Sequence, residues 1–75
     1  MTADDAVELA GEICDLIDGI DGDTKARAAE CGFDLEDIRE RVVDVEATIT
    51  ESGRCSDKQA RALENWKRGV SGWAS

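Results

Sequence analysis

Apolar residues recur along the chain at the spacing of amphipathic helices, most clearly between Leu35 and Trp73. The first half of this stretch carries one apolar stripe: Leu35, Ile38, Val42, Val45 and Ile49. The second half carries another: Ala60, Leu63, Trp66, Val70 and Trp73. Steps of three and four residues place each stripe on one side of a helix. Because Ser52-Gly53-Arg54-Cys55 reads as a turn between them, we expect a helical hairpin in which the two stripes cover each other.

The N-terminal segment predicts another amphipathic helix that starts at Thr2 and ends near Asp18. Thr2 is a suitable N-cap, and the acids of the first turn complement the helix dipole. Its apolar side consists of Ala6, Leu9, Ala10, Ile13, Leu16, Ile17 and Ile20. Its opposite side carries Asp4, Glu8, Glu12 and Asp15. Gly11 in the helix interior lowers the stability of the helix by about 1 kcal/mol relative to Ala. Close approach of another helix would explain a glycine at this position.

A short connecting helix is predicted over residues 24–31, with Asp23 as its N-cap and Gly32 as its stop. Phe33 follows and is expected to close one end of the core. The acidic run before this helix does not match an EF-hand loop. Counted from Asp18, aspartates stand at positions 1, 4 and 6, and position 12 is Ala29, so we predict a turn and no calcium site.

The two remaining helices have clear start signals. Asp34 is a predicted N-cap, and Ser56 with Gln59 matches a capping box. Residues 43–50 alternate like a strand and are rich in β-branched side chains. However, the helical spacing begins earlier and no second strand is available for pairing. Since the chain also lacks proline, we predict one all-α domain over residues 1–75: a small helical bundle of three main helices plus one short connecting helix, with a C-terminal helical hairpin.

Composition argues against catalysis. A chain of 75 residues with eighteen large apolar side chains can form one small core but no deep substrate pocket. Histidine is absent, which removes the commonest general base and excludes Cys–His and Ser–His–Asp arrangements. No glycine-rich phosphate loop is present. We therefore predict no enzyme activity, no catalytic residues and no cofactor.

The three cysteines, Cys14, Cys31 and Cys55, predict free thiols in a cytoplasmic protein, because their number is odd and no signal peptide is recognisable. Their gaps of seventeen and twenty-four residues do not match paired zinc ligands, so no metal is predicted. Cys14 falls beside the apolar side of the first helix. Cys31 and Cys55 lie at helix ends, where an approach in space is one alternative. No apolar run is long enough to span a bilayer.

The net charge of −9 is unevenly distributed. Residues 1–53 hold sixteen acids and four bases, a balance of −12, whereas residues 54–75 hold five bases and two acids, a balance of +3. Such a surface repels nucleic acid and attracts basic protein patches. Two alternatives also explain the acidic surface: a solvated face with no binding role, and the surface of a halophilic housekeeping domain.

Eight residues are candidates for partner binding. The acidic side of the first helix repeats at about one helical turn, roughly 5.4 Å, which is close to the phosphate spacing of a nucleic-acid strand. We expect docking through this row and through a second acidic face: Asp4, Glu8, Glu12 and Asp15, then Glu36, Glu40 and Asp44. Trp73 is an alternative anchor with Arg61 and Arg68 beside it, although core packing also explains a tryptophan at this spacing.

The segment from Asp37 to Trp66 resembles a helical hairpin of small acidic phage-encoded proteins. The shared pattern is a helix, a glycine turn, then Ser or Thr, any residue, Lys-Gln and a leucine four positions later, here Ser56-Asp57-Lys58-Gln59 and Leu63. Together with small size and acidity, this is similar to anti-CRISPR proteins. The resemblance implies stoichiometric inhibition of a host CRISPR-Cas complex at its nucleic-acid-binding surface, in the host cytoplasm. The alternative is a helical adaptor or homodimer in phage DNA metabolism that uses Trp73.

Overall fold

The computed structural model describes residues 1–74 and places them in four helices: α1 (Ala3–Asp18), α2 (Gly22–Glu30), α3 (Leu35–Ser52) and α4 (Asp57–Ala74). The described chain contains no strand, so the alternating segment 43–50 is helical. The predicted all-α fold of three main helices and one short connecting helix is confirmed. The buried apolar residues form one core cluster inside an elongated molecule of 37 × 19 × 18 Å.

Helix start signals were predicted correctly at three of the four helices. The Thr2 hydroxyl accepts a hydrogen bond from the Asp5 amide at 3.1 Å. Asp34 accepts from two amides of the first turn of α3. The capping box is complete: the Ser56 amide donates to Gln59 Oε1 at 2.9 Å, and the Gln59 amide donates to Ser56 Oγ at 3.1 Å. Each side chain therefore satisfies an amide that lacks a partner within its helix.

The predicted N-cap of α2 is wrong, because Asp21 caps the helix and Asp23 lies in its first turn. Asp21 Oδ1 accepts from the Thr24 amide at 2.7 Å, and the helix begins at Gly22. At the other end, Gly32 has φ +85°, a backbone conformation that glycine adopts without strain. The Phe33 amide donates to the Ala28 carbonyl at 2.8 Å, as in a Schellman motif. The predicted stop at Gly32 is confirmed.

Helix α1 is the centre of the packing. It makes extensive contacts with both α3 and α4, whereas α3 and α4 meet each other only over a small area. The expectation that the two stripes of the hairpin cover each other is therefore wrong, because both cover α1. The apolar face of α1 includes four fully buried residues: Ala6, Ala10, Ile13 and Ile17. The two alanines leave little side-chain bulk on this face, so neighbouring helices can approach on both flanks.

Two glycines differ in their surroundings. A Cβ on Gly69 of α4 would lie 2.6 Å from Phe33 Cζ, so Phe33 packs directly onto the α4 backbone. Phe33 is half-buried and also stacks on Trp73, with ring centroids 6.5 Å apart, in agreement with its expected place at one end of the core. A Cβ on Gly11 would meet no atom within 4 Å. The close helix approach expected at Gly11 is therefore absent.

Candidate functional site

The predicted acidic row lies on the solvent side of α1. Asp4, Glu8, Glu12 and Asp15 are all exposed, and the buried face of the helix lies opposite them. Eleven residues at about 1.5 Å each give the row a length of about 16 Å. Because α1 packs against two helices, its backbone is held firmly and the row is displayed on a rigid support.

The four carboxylates of this row differ in their partners. Glu12 Oε2 accepts from Lys67 Nζ of α4 at 2.9 Å. Within residues 1–74, no cationic group lies within ion-pair distance of Asp4, Glu8 or Asp15. These three carboxylates are therefore available to an external cation, whereas Glu12 already forms part of a neutral pair.

The second acidic face lies on the outer side of α3. Glu36, Glu40 and Asp44 are all exposed there. Glu36 Oε1 forms an ion pair with Lys25 Nζ of α2 at 2.9 Å. In the described part of the chain, Glu40 and Asp44 have no such partner. The free charge of this face thus lies at Glu40 and Asp44.

An ion pair joins the C-terminal end of α1 to α3. Arg39 Nε donates to Asp18 Oδ1 at 2.9 Å, and Arg39 Nη2 donates to Oδ2 at 3.2 Å. This hydrogen bonding, aided by the positive charge of Arg39, holds the pKa of Asp18 below its usual range. The charge of Asp18 is therefore used within the fold, and it does not extend the acidic row of α1.

Trp73 has an intramolecular partner. It is half-buried and stacks on Phe33, with an interplanar angle of 28°. Part of its surface remains accessible, so packing and partner contact are compatible at this position. Arg61 and Arg68 are exposed on the same helix, and no carboxylate pairs with either among residues 1–74.

A groove between α1 and α4 was missed by sequence reasoning. It is a shallow groove open to solvent, it measures about 350 Å³, and it is lined by Glu12, Asp15, Leu16, Lys67 and Ser71. Helical periodicity assigned Leu16 to the apolar side of α1, and it lies half-buried at the edge of that side. The Glu12–Lys67 pair joins residues 55 positions apart. Spacing along the chain gives no signal for a pair this distant.

The three thiols differ in their surroundings: Cys14 and Cys55 are half-buried, and Cys31 is exposed. The three cysteines are free, and no group of three potential metal ligands occurs in the part of the chain that the structure describes. Burial raises the pKa of the Cys14 thiol, which lowers its thiolate fraction. Cys31 and Cys55 lie beyond opposite ends of α3, about 27 Å long, so their approach is excluded.

The chain was compared with protein-family models, with curated proteins and with solved structures, and none of them matches it. No helix within residues 1–74 combines the length and the apolar character needed to cross a membrane.

Proposed function

We propose that this chain is a non-enzymatic, anti-CRISPR-like phage inhibitor that binds a basic, nucleic-acid-binding surface of a host CRISPR-Cas complex in the host cytoplasm. The observation that carries the proposal is the row of three carboxylates on α1 with no internal cation, at Asp4, Glu8 and Asp15. This row lies on the helix that packs against both α3 and α4, so the spacing of its carboxylates along the helix is fixed.

The mode of action is competition for a basic groove. The free carboxylates of Asp4 and Glu8 lie about one helical turn apart, roughly 5.4 Å, and that of Asp15 follows about two turns later. A groove that binds a phosphate backbone provides arginines and lysines at intervals that such a row can match. Charge complementarity of this kind accelerates association and opposes wrong partners. Glu40 and Asp44 on α3 provide a second contact for a groove that surrounds the molecule.

The test uses purified CRISPR-Cas effector complexes and their target DNA. The chain should block DNA binding when it is added before the DNA, and it should have little effect once the groove is occupied. The variant Glu8→Lys/Asp15→Lys should lose this inhibition. Glu12 is left in place because its reversal would also break the pair with Lys67.

A matched control carries the same change in net charge at residues that belong to neither row. Glu30→Lys/Glu51→Lys suits this purpose because both residues are exposed and lie near helix C-termini, where cations are favourable. This variant should inhibit like the original chain. Equal loss of inhibition in both variants would leave only a net-charge effect, and unchanged inhibition in Glu8→Lys/Asp15→Lys would refute the docking row.

The second candidate function is a helical adaptor or homodimeric accessory protein in phage DNA metabolism. The partial exposure of both Trp66 and Trp73 on α4 favours it, because tryptophan is enriched at protein interfaces. Analytical ultracentrifugation distinguishes the two proposals. A tight dimer that dissociates on Trp73→Ala would favour the adaptor, whereas a monomer at all concentrations would exclude the homodimer.

A further inference from the structure

We infer that the groove between α1 and α4 is a receptor for one arginine side chain of the partner protein. The inference rests on the proposed function, because it assigns a specific contact to the acidic row on α1. The groove contains both an apolar wall and an unpaired carboxylate, and no described cation of the chain itself pairs with that carboxylate.

The charges in the groove select a cation. Lys67 is neutralised by Glu12 at 2.9 Å, so this pair adds no net charge. Asp15, which has no ion-pair partner within residues 1–74, leaves the groove with a charge of −1. An incoming cation thus meets one free carboxylate, together with the second oxygen of the Glu12 carboxylate.

The shape and polarity of the groove favour arginine over lysine. Half-buried Leu16 offers an apolar surface for the methylene groups of a long side chain. The Ser71 hydroxyl, on the opposite wall, is a further acceptor with no intramolecular hydrogen bond among the described residues. Asp15 and Ser71 both line the groove, and a planar guanidinium has five donors to share between two such acceptors, whereas an ammonium acts as a compact point charge.

The groove has room for a long side chain. It is open to solvent and measures about 350 Å³, so a side chain can lie along Leu16 while its charged end stays partly hydrated. Arginine is also among the residues enriched at binding hot spots. In this groove, hydrogen bonds and apolar contacts with one arginine side chain add to the electrostatic attraction that the whole acidic row exerts on basic groups.

The test compares a hexa-arginine and a hexa-lysine peptide by calorimetry and by NMR titration of the intact, isotope-labelled chain. Hexa-arginine should bind more tightly, and its largest amide shifts should fall on Asp15, Leu16 and Ser71. Ser71→Ala changes no charge and should weaken hexa-arginine binding roughly 2- to 10-fold, the effect of one hydrogen bond, while leaving hexa-lysine binding unchanged. Asp15→Asn should weaken hexa-arginine binding more than the control Glu8→Gln, which lies in the same row but outside the groove. Circular dichroism verifies that each variant is folded.

The possible results distinguish the inferred arginine receptor in the groove from docking through the acidic row as a whole. Equal affinities for the two peptides with no effect of Ser71→Ala would overturn the arginine receptor. If Glu8→Lys/Asp15→Lys still weakened the binding of both peptides in that case, docking through the acidic row would remain supported without an arginine receptor. If that variant bound both peptides as tightly as the original chain, the docking row itself would be contradicted.

Discussion

Replacement of Gly69 by alanine tests the packing of Phe33 against α4. The added Cβ would lie 2.6 Å from Phe33 Cζ and 2.9 Å from Phe33 Cε2, distances that real contacts do not reach. The ring must therefore move. Because Trp73 stacks on the same ring at 6.5 Å, movement of Phe33 also disturbs this aromatic pair.

The magnitude follows from comparison with Gly11→Ala. Both substitutions gain about 1 kcal/mol of helix propensity, and the new Cβ at Gly11 meets nothing within 4 Å. Overpacking at Gly69 costs about 1–3 kcal/mol. The propensity gain is common to both variants, so Gly69→Ala should be less stable than Gly11→Ala by about 1–3 kcal/mol. The free energy of unfolding of Gly11→Ala itself should exceed that of the original chain by about 1 kcal/mol.

Thermal and urea denaturation, followed by far-UV circular dichroism, measure these differences. For a chain of this size, each kcal/mol corresponds to about 4–8 °C in Tm. Phe33→Leu/Gly69→Ala should recover part of the loss, since leucine lacks the atoms nearest the new Cβ. If Gly69→Ala were as stable as Gly11→Ala, Phe33 would be free to rotate away at no cost, and the inferred packing would be refuted.

Three further predictions concern a helix cap and two ion pairs. Ser56→Ala removes the N-cap of α4 and should lower the free energy of unfolding by about 1 kcal/mol in urea titrations; an unchanged midpoint would mean that the cap is dispensable. The lowered pKa of Asp18 means that this carboxylate stabilises the fold above its unfolded-state pKa, and the contribution is lost as the pH falls through the folded-state value. Arg39→Gln should therefore raise the Asp18 pKa in an NMR titration, and an unaltered pKa would contradict the pairing. Glu12→Gln breaks the exposed pair with Lys67 and should cost at most about 1 kcal/mol, with a smaller loss at high salt; losses independent of salt in thermal melts would argue against an ionic origin.

Local structure was predictable from the sequence where one physical signal dominated. Thr2, Asp34 and Ser56 are each the best cap available at their helix starts, and all three form the expected hydrogen bonds. At α2 two aspartates, Asp21 and Asp23, are separated by a single residue, so cap propensity could not rank them. Helix α2 begins at the earlier position, where the Asp21 carboxylate reaches the Thr24 amide.

The pairing of helices was less predictable. The short connection after Gly53 suggested that α3 and α4 cover each other, but a short loop only requires that their ends meet. Each stripe is compatible with any apolar partner. The broad apolar side of α1 must be covered on two flanks, whereas α4 fully buries only Leu63 and Val70 among its described residues, so both helices of the hairpin pack on α1.

The candidate site was predictable only in part for the same reason. Periodicity along α1 was sufficient to place Asp4, Glu8 and Asp15 together on the solvent side. The distinction between these carboxylates and Glu12 depends on Lys67, which reaches α1 from a distant part of the chain. The spacing of residues along one helix does not predict ion pairs that form only when distant segments pack together.

The central position of α1 determines the order in which the core can form during synthesis. Helix α1 needs partners that follow 30 to 60 residues later in the chain, because its neighbours are α3 and α4. Helix α3 can cover one flank as soon as it has formed, but the flank that faces α4 must remain uncovered until Val70, a fully buried residue near the end of α4, has been translated. Contacts so distant in sequence delay closure of a core, and they make the nascent chain dependent on α4. A ribosome-stalled chain without α4 would display this flank of α1 to chaperones and proteases.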